Sequence, residues 1–254
     1  MTIIPPDLIR YMQQCGHIAV LTGAGTSAES GVPTFRDAQT GLWAQYDPQE
    51  LATPDAFARN PQLVWDWYAW RRELVAQSAP NAGHFALAAM AAHPANFTLI
   101  TQNVDGLHQQ AGSEGVIELH GNISRIKCAR DGELVTAWGD EPRCPHCGSW
   151  LRPDVVWFGE DLPAAALEAA WQAAKTCDLF LTIGTSGVVQ PAASLPLVAA
   201  ENGAVMVELN VEDTPLSRFM DFKLRGASGE VLPGLVTAVF TSSSPIRNRR
   251  NHVM

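Results

Sequence analysis

The sequence predicts an α/β fold built on a doubly wound parallel sheet, and three observations support this prediction. Short apolar runs recur along the chain, and they are β-branched and nearly continuous, as expected for strands buried on both faces. Helix-like stretches separate several of the runs, and strands that alternate with helices are typical of parallel sheets. Polar and glycine residues follow the runs directly, where such sheets bind ligands. The predicted strands span 17–22, 97–102, 116–120, 154–158, 178–183 and 204–209, and the predicted helices span 62–77, 82–92, 163–175 and 191–201.

Length and composition limit the class of protein. The 254 residues, of which 46% are hydrophobic and 17% are charged, suffice for one large domain or for one domain with a small inserted module. A net charge of −9 argues against a protein dedicated to nucleic acid. We see neither a signal peptide nor an apolar run of about 18 residues, and five sparse cysteines indicate a reducing compartment. We therefore expect a cytoplasmic protein with no membrane segment and no dedicated nucleic-acid partner.

Two stretches interrupt the alternation of strands and helices. Residues 122–153 contain Cys, Gly, Pro, Asp and Arg with little periodic apolar content, and we interpret them as a small inserted module. Residues 37–78 form a second insertion of helices rich in Trp and Tyr, in which Asn60 and Pro61 suit a helix cap and a first helical residue. The Ser- and Arg-rich residues 241–254 are predicted to be a flexible tail. The main domain then consists of 1–36, 79–121 and 154–240.

Glycines follow the first predicted strand in the segment TGAGTS, residues 22–27. Glycine directly after a strand lets the backbone approach a phosphate, which the next N–H groups can bind. The spacing differs from G-x-G-x-x-G, and a tight strand-to-helix turn is the alternative. Phe35, Arg36 and Asp37 follow at the predicted mouth of the sheet, where Arg36 and Asp37 could instead form an exposed ion pair.

Polar residues also follow the later strands. Gln102, Asn103 and Asp105 could bind ribose hydroxyls and an amide, although an Asx-type turn is the alternative for them. His120 stands at a strand end before a glycine, a position that suits a general base but is also compatible with a structural role. The fifth and sixth runs end in Gly184-Thr185-Ser186-Gly187 and in Asn210-Val211-Glu212.

Taken in order, these segments resemble the sirtuin family of NAD-dependent protein lysine deacylases. The resemblance covers about residues 10–240. It implies a Rossmann-like dinucleotide-binding sheet and a small zinc-binding module, with NAD and the acylated lysine of another protein in the cleft between them. The segments that carry it are GAGTSAESGVPTFRD, TQNVDGLH, LHG, DVVWFGE, GTS, LNVE and GASGEVLP.

The resemblance assigns roles to individual residues. His120 would be the general base, and Asn103 and Asp105 would hold the nicotinamide end of NAD and its ribose. The substrate peptide would add as a strand between the segment Val156, Trp157, Phe158 and Gly159 and a segment that includes Val189. Nicotinamide and O-acyl-ADP-ribose would be the products. The other residues assigned to NAD are Gly23, Ala24, Gly25, Ser27, Phe35, Arg36, Gln102, Gly184, Thr185, Ser186, Asn210, Glu212 and Ser228.

Tyr68 and Arg71 are three positions apart on the predicted helix 62–77 and so share a face. Arginine can bind a carboxylate through two parallel hydrogen bonds, and a tyrosine hydroxyl can add another. By the resemblance, this pair marks sirtuins that remove succinyl and malonyl groups. The alternative is that Tyr68 packs and Arg71 faces water. Gln190 stands where that class often has tyrosine.

The predicted function is therefore a desuccinylase and demalonylase with some deacetylase activity, which acts as a monomer. A plain NAD-dependent deacetylase and a mono-ADP-ribosyltransferase are alternatives within the family. A non-catalytic NAD-sensing module is the alternative from another class. The intact segment Asn103-Val104-Asp105 and His120 argue against that last alternative.

The cysteine cluster departs from the family pattern. Cys144 and Cys147 form a zinc knuckle, and Cys128 supplies one member of a second pair. Asp131 stands where sirtuins usually have the fourth cysteine. A Cys3Asp site, a site completed by His146, and a module held by packing without metal are the three possibilities.

Overall fold

Six parallel strands form the central sheet of the protein, a computed structural model of which describes residues 3–32 and 46–241. The strand order is β3-β2-β1-β6-β7-β8, and every neighbouring pair is parallel. The predicted parallel sheet is thereby confirmed. Its strands are β1 (His17–Thr22), β2 (Asn96–Thr101), β3 (Ile117–Glu118), β6 (Leu179–Ile183), β7 (Val205–Asn210) and β8 (Phe222–Arg225).

Helices cover both faces of this sheet, so the fold is doubly wound. One face packs against α1 (Pro6–Met12), α5 (Ala82–Met90) and α9 (Ser228–Val236), through a core that includes Leu87 and Leu232. The other face packs against α7 (Ala164–Thr176) and α8 (Leu195–Glu201). Burial of apolar residues on both faces explains why these strands read as continuous apolar runs.

The order of the strands reverses between β1 and β6, which places a ligand-binding crevice at their carboxyl ends. Thr22 at the end of β1 pairs with Thr101 of β2 and with Ile183 of β6. The loops that follow these three strands therefore leave the same edge of the sheet. In open α/β sheets the ligand binds at such a reversal.

A small region lies beside the sheet, and we define it as α2 (Pro48–Leu51), α3 (Pro54–Arg59), α4 (Pro61–Ala76), β4 (Gly121–Cys128) and β5 (Leu151–Val155). Strands β4 and β5 form a separate antiparallel pair. Helix α4 begins as predicted, because the side chain of Asn60 accepts a hydrogen bond from the N–H of Leu63 at 3.1 Å and Pro61 is the first helical residue. The short helix α6 (Leu107–Gln110) follows β2.

The prediction that 154–158 is a strand of the parallel sheet is wrong. Residues 154 and 155 end β5, and the remaining residues continue without regular structure. The run is apolar because Val155 and Trp157 pack with Tyr68 in the core of the small region. An apolar run of this length does not reveal which of two cores it joins.

Other differences concern the ends of the chain. Helix α9 was not predicted, since Pro233 and two glycines lie within it, but Leu232 and Leu235 are fully buried against the sheet. Strand β8 is an edge strand with alternating burial, so it shows no continuous apolar run. Residues 242–254 of the predicted tail lie outside the described residues. Within the described ranges, no helix has both the length and the apolar character needed to cross a membrane.

Candidate active site

Two glycine-containing loops meet where β1 and β6 end. The N–H of Gly25 donates to the carbonyl oxygen of Gly184 at 2.8 Å. Gly184 has a left-handed backbone with φ of +57°, and a Cβ atom there would lie 2.4 Å from the backbone nitrogen of Thr26. Contact between the loops therefore requires glycine at position 184. The glycines thus serve a tight turn, which was the alternative to phosphate binding. The backbone at Ala24 and Gly25 nevertheless remains exposed, as a phosphate-binding loop requires.

The rest of the first loop is only partly described. A 3₁₀ turn covers Ala28–Ser30, and Gly31 ends it with a left-handed φ of +76°. The predicted NAD residues Phe35 and Arg36 lie outside the described residues.

Ser27, Asn103 and Asp105 form one hydrogen-bonded group below the loops. Ser27 Oγ donates to Asp105 Oδ2 at 2.7 Å and accepts from Asn103 Nδ2 at 3.1 Å. Asp105 Oδ1 accepts from the N–H of Leu107 at 2.9 Å, so the Asx-type turn is present as well. The structure thus brings together three predicted residues that come from two loops.

Two buried histidines support this group, and sequence reasoning missed both. His84 Nε2 lies 3.3 Å from Ser27 Oγ, and its Nδ1 accepts from the N–H of Asn81 at 3.2 Å, so Nε2 carries the proton. His108 Nε2 lies 2.9 Å from the hydroxyl of Thr22. Burial lowers the pKa of His84 and lowers that of His108 to about 3, so both rings are neutral near pH 7. The spacing Asn81-x-x-His84, which forms a reciprocal helix cap, was the available signal.

Thr185 joins the ends of three strands on the other side of the crevice. Its hydroxyl accepts from Gln102 Nε2 at 2.9 Å, and its carbonyl accepts from Asn210 Nδ2 at 2.9 Å. Ser186 is half-buried beside it, and Glu212 is exposed beyond β7. The predicted adenosine-side residues of β6 and β7 therefore line one continuous edge.

Ser228 connects the first loop to α9. Its hydroxyl donates to the carbonyl of Thr26 at 3.3 Å and lies 3.3 Å from Glu29 Oε2. Glu29 also accepts from the N–H of Gly229 at 2.7 Å, so its carboxylate caps the start of the helix. Glu29 was not predicted, because its partners follow it in the sequence by about 200 positions.

His120 lies in the turn between β3 and β4. Its Nδ1 is 2.9 Å from the carbonyl oxygen of Gln102, so Nδ1 carries the proton and Nε2 offers a lone pair. Burial lowers the pKa of His120, although the hydrogen bond to Gln102 raises it. The imidazole is therefore in its basic form at neutral pH, as a general base must be. The carbonyl of His120 accepts from the N–H of Val156 at 3.0 Å, which ties the predicted peptide segment to the base.

Tyr68 and Arg71 lie on the face of α4 that points toward the segment after β5. Tyr68 is fully buried and stacks on Trp157, with 6.3 Å between ring centroids. Burial raises the pKa of Tyr68 to about 12, although Arg71 lowers it, so the hydroxyl remains protonated. Arg71 is partly buried beside Tyr68, and its guanidinium lies 5.1 Å from the centre of the Trp67 ring. Arg71 therefore does not extend freely into water.

An ion pair that sequence reasoning missed holds the segment after β5. Arg152 Nη2 donates to Glu160 Oε2 at 2.8 Å and to the carbonyl of Val155 at 2.9 Å. Glu160 also accepts from the N–H of Trp157 at 2.8 Å, and the Arg152 guanidinium lies 3.3 Å from the Trp157 ring centre. The position of Trp157, and hence of the surface below Tyr68, depends on this pair.

Exposed apolar residues lie on the two predicted sides of the peptide site. Phe158 is 46% exposed on one side, while Val188 and Val189 are 50% and 37% exposed on the other. Gly159 has a left-handed φ of +89°. Trp157 differs from its neighbours because its ring is buried, so it contributes to the core rather than to the exposed surface.

Three cysteines of the small region meet in space. The sulfur atoms of Cys128, Cys144 and Cys147 all lie within 4.8 Å of one another, and Cys128 and Cys147 are 3.5 Å apart. Three thiols at this spacing suit the tetrahedral coordination of zinc, so the residues fit a zinc ion. Asp131 and His146 are exposed and lie outside this group of three.

The family model described as the Sir2 family matches residues 23–191, which include the glycine loop, the Ser27 group, His120 and the cysteine cluster. The chain belongs to the Sir2 family. The resemblance to sirtuins is therefore confirmed.

Relatives of this Sir2-family protein occur in distant bacteria. It is 53% identical over 220 residues to an NAD-dependent protein deacylase of Aquifex aeolicus, an alignment that covers 84% of this chain and 92% of that protein. It is 51% identical over 245 residues to NAD-dependent protein deacylase 1 of Pseudomonas aeruginosa, which covers 92% and 98% of the two chains.

Solved structures of Sir2 homologues are also similar to this chain. A Sir2 homologue in complex with NAD matches with a TM-score of 0.88 and 44% identity, over 94% of each chain. A mutant Sir2 homologue in complex with 2′-O-acetyl ADP ribose matches with a TM-score of 0.89 and 44% identity, over 96% of this chain and 100% of the other.

Proposed function

We propose that this protein is an NAD-dependent protein lysine deacylase that prefers the acidic acyl groups succinyl and malonyl. The deacylase activity is supported by membership of the Sir2 family and by relatives of about half identity that are NAD-dependent protein deacylases. The preference for acidic acyl groups is our own inference. It rests on one observation, the guanidinium of Arg71 held beside the buried hydroxyl of Tyr68.

The residues at the strand ends fit NAD. The contact between Gly25 and Gly184 leaves an exposed backbone without side chains, which suits the close approach of a diphosphate. We assign Asn103 and Asp105 to the nicotinamide end, and Asn210 to the adenosine end. When bound, NAD would supply the ribose carbon that receives the acyl oxygen as nicotinamide leaves, and with one water the remaining products are free lysine and O-acyl-ADP-ribose.

His120 takes the proton in this proposal. Because its Nδ1 donates to the Gln102 carbonyl, its Nε2 is the atom that accepts a proton from a ribose hydroxyl. The lowered pKa keeps that nitrogen unprotonated at neutral pH. Ser27 orients Asp105 and Asn103 through the hydrogen bonds described above, which limits their freedom before NAD binds.

The acyl preference follows from charge and geometry. The net charge of −9 does not attract an anionic acyl chain, so selection for it has to come from a local cation. Arg71 can bind the carboxylate of a succinyl or malonyl chain through two parallel hydrogen bonds, and the protonated Tyr68 can donate a third. An acetyl chain carries no carboxylate and therefore cannot accept these charge-assisted hydrogen bonds.

Replacement of Arg71 tests this preference. Hydrogen bonds to a charged group contribute about 1.5–3 kcal/mol, so we expect Arg71→Met to reduce kcat/KM for succinyl-lysine peptides by roughly 10- to 100-fold. The same variant should change kcat/KM for acetyl-lysine peptides by less than about threefold. Mass spectrometry of acetyl, succinyl and malonyl peptides incubated with NAD measures both.

Arg72 provides a matched control on the next position of α4. Its guanidinium lies 4.7 Å from the ring centre of Trp65, which packs in a different core from Tyr68, so Arg72→Met should leave both activities within about threefold of the starting protein. Equal loss of desuccinylation and deacetylation in Arg71→Met would mean that Arg71 has a structural role only.

Three further predictions belong to this proposal. The substrates are acylated lysine side chains of other proteins, and they pair with the exposed segments around Phe158 and Val189. A cytoplasmic location is supported by the five cysteines, all of which are in the described ranges and none of which forms a disulfide there. A monomeric state is expected, and sedimentation at micromolar concentration measures it.

A further inference from the structure

Two turns of the small region, one starting at Cys128 and one at Cys144, are structural repeats of each other. In the turn that starts at Cys128, the N–H of Gly132 donates to the Cys128 carbonyl at 3.0 Å. In the turn that starts at Cys144, the N–H of Gly148 donates to the Cys144 carbonyl at 2.9 Å. The two glycines have left-handed φ values of +78° and +72°. The turns therefore have the same backbone at equivalent positions.

The hydrogen bonds that close the two turns are also equivalent. The N–H of Cys128 donates to the carbonyl of Glu133 at 2.9 Å, and the N–H of Cys144 donates to the carbonyl of Ser149 at 2.7 Å. In each turn the first residue is thus paired with the residue five positions later. This agreement fixes which side chains correspond, since Cys128 matches Cys144 and residue 131 matches residue 147.

Asp131 therefore occupies the position of Cys147 in the repeat, and its side chain makes the corresponding contacts. Asp131 Oδ1 accepts from the N–H of Glu133 at 3.0 Å, two residues later, and the side chain of Cys147 is bound in the same way by the backbone of Ser149. Asp131 also contacts the Cys128 side chain, just as Cys147 contacts that of Cys144. The carboxylate already lies next to one of the three sulfur atoms.

We propose that Asp131 is the fourth ligand of a Cys3Asp zinc site, in which its carboxylate replaces the second thiolate of the first turn. Three thiolates and one carboxylate oxygen are a donor set that tetrahedral zinc accepts. Asp131 is not yet within the group of three sulfur atoms, so closing the site requires its carboxylate to rotate toward them. His146 does not hold a position equivalent to that of Asp131, because it lies between Cys144 and Cys147 in the second turn.

A carboxylate at this position has a physical consequence. Asp131 is exposed, whereas Cys128 and Cys144 are buried, so the oxygen ligand faces water and is the part of the site that a chelator reaches first. Zinc should therefore leave this protein through the Asp131 side. The inference concerns the metal, and it does not depend on the acyl preference.

The release of zinc from the full-length protein provides the first test. Purified protein is mixed with excess EDTA, and freed zinc is followed by a coloured indicator or by mass spectrometry of the retained metal. We expect Asp131→Ala to release zinc at least about tenfold faster than the starting protein, since loss of a residue that only orients a ligand already costs roughly 10- to 100-fold in affinity and loss of a ligand should cost at least as much. Glu133→Ala removes a neighbouring exposed carboxylate and should release zinc at the original rate. His146→Ala should also leave the rate unchanged.

Cobalt spectra provide the second test, and they do not rely on the stability of the alanine variant. In the cobalt-substituted protein, the thiolate-to-metal charge-transfer absorbance should correspond to three thiolates. In Asp131→Cys it should rise by about one third, because position 131 then supplies a fourth sulfur. Asp131→Cys should also hold zinc at least as tightly as the starting protein.

Either of two results would overturn the assignment. Equal zinc release from Asp131→Ala and Glu133→Ala would show that the carboxylate does not bind the metal. An unchanged charge-transfer absorbance in Asp131→Cys would show that position 131 does not face the site, even if Asp131→Ala failed to fold. Activity on succinyl and acetyl peptides is recorded in parallel, so failure of this assignment and failure of the proposed function are separable.

Discussion

The central sheet and the small region are stabilised in different ways. The sheet has two apolar cores, one on each face, and its middle strands are fully buried. The small region has a two-stranded sheet, aromatic residues of α4, the Arg152–Glu160 pair and three clustered cysteines. A small unit buries too little apolar area to stabilise itself by that means alone, so polar pairs and metal ligands take a larger share.

The same comparison separates two kinds of functional residue. The groups assigned to NAD and to proton transfer lie at the ends of sheet strands, where the packed sheet fixes them. The groups assigned to acyl selection, Tyr68 and Arg71, belong to the small region, where Tyr68 stacks on Trp157 and Arg71 lies over Trp67. We therefore expect changes in the small region to alter selectivity, while changes at the strand ends abolish turnover.

The largest expected effect comes from the strand-end base. His120→Asn removes the proton acceptor, and loss of a general base typically reduces kcat by roughly 10²–10⁴-fold. The thermal midpoint should stay the same within about 2 °C, since the ring lies at the edge of the core. Steady-state kinetics and thermal unfolding of the same preparation measure both quantities.

His93 supplies the control, because it is exposed and precedes β2, whereas the assigned residues follow the other end of that strand; His93→Asn should retain full activity. In the starting protein, the acid limb of kcat/KM should lie below pH 6.5, because the pKa of His120 is lowered by burial. A rate for His120→Asn near that of His93→Asn would instead mean that His120 is not the general base.

The next effect compares the two cores. Leu181 in β6 and Leu151 in β5 are both fully buried. We expect Leu181→Ala to reduce the free energy of unfolding by about 3–5 kcal/mol, and Leu151→Ala by about 2–3 kcal/mol, because the smaller cluster can collapse further around the lost atoms. Urea denaturation measures both. A larger loss at Leu151 would show that the small region, and not the sheet, limits the stability of the chain.

The smallest effect concerns the ion pair of the small region. Glu160→Gln should reduce the free energy of unfolding by about 2 kcal/mol at pH 7, as expected for loss of charge-assisted hydrogen bonds. Although burial raises the pKa of Glu160, its hydrogen bonds with Arg152 and the Trp157 N–H lower it below 4.5 overall. A lowered carboxylate pKa stabilises the fold above pH 4.5 and loses that effect as the pH falls further.

The difference in stability between the starting protein and Glu160→Gln should therefore shrink below pH 4.5. Denaturation series at pH 7 and pH 4 measure that difference. A constant difference in stability between pH 7 and pH 4 would mean that Glu160 stabilises the segment after β5 through packing rather than through charge.

The success of the sequence predictions depended on how local each signal is. Asn60 and Pro61 start α4 through contacts within four residues, and the runs of β1, β6 and β7 owe their pattern to burial on both faces. The prediction that the fourth run belongs to the parallel sheet was wrong because Val155 and Trp157 pack in the core of the small region instead. Helix α9 was missed because burial of Leu232 and Leu235 outweighs the weak helix propensity of its proline and glycines.

At the candidate site, the residues assigned to ligands were easier to predict than the residues that support them. Ser27, Asn103, Asp105 and His120 follow strand ends, and the resemblance to sirtuins assigned their roles. His84, Glu29 and the Arg152–Glu160 pair act through side chains from distant elements. No pattern of spacing along the chain encodes such pairs, because their partners are chosen by the packing of helices on the sheet.

By itself, the sequence determined the parallel sheet, the polar edge at its strand ends and the family. The reason is that burial on both faces and the chemistry at strand ends produce patterns among residues that are close in the sequence. The tertiary structure decided which core each apolar run joins and which buried groups hold Ser27 and Trp157 in place. It also showed that the turn at Cys128 repeats the turn at Cys144. Equivalent backbone hydrogen bonds support the position that the sequence already assigned to Asp131, where a fourth cysteine was expected.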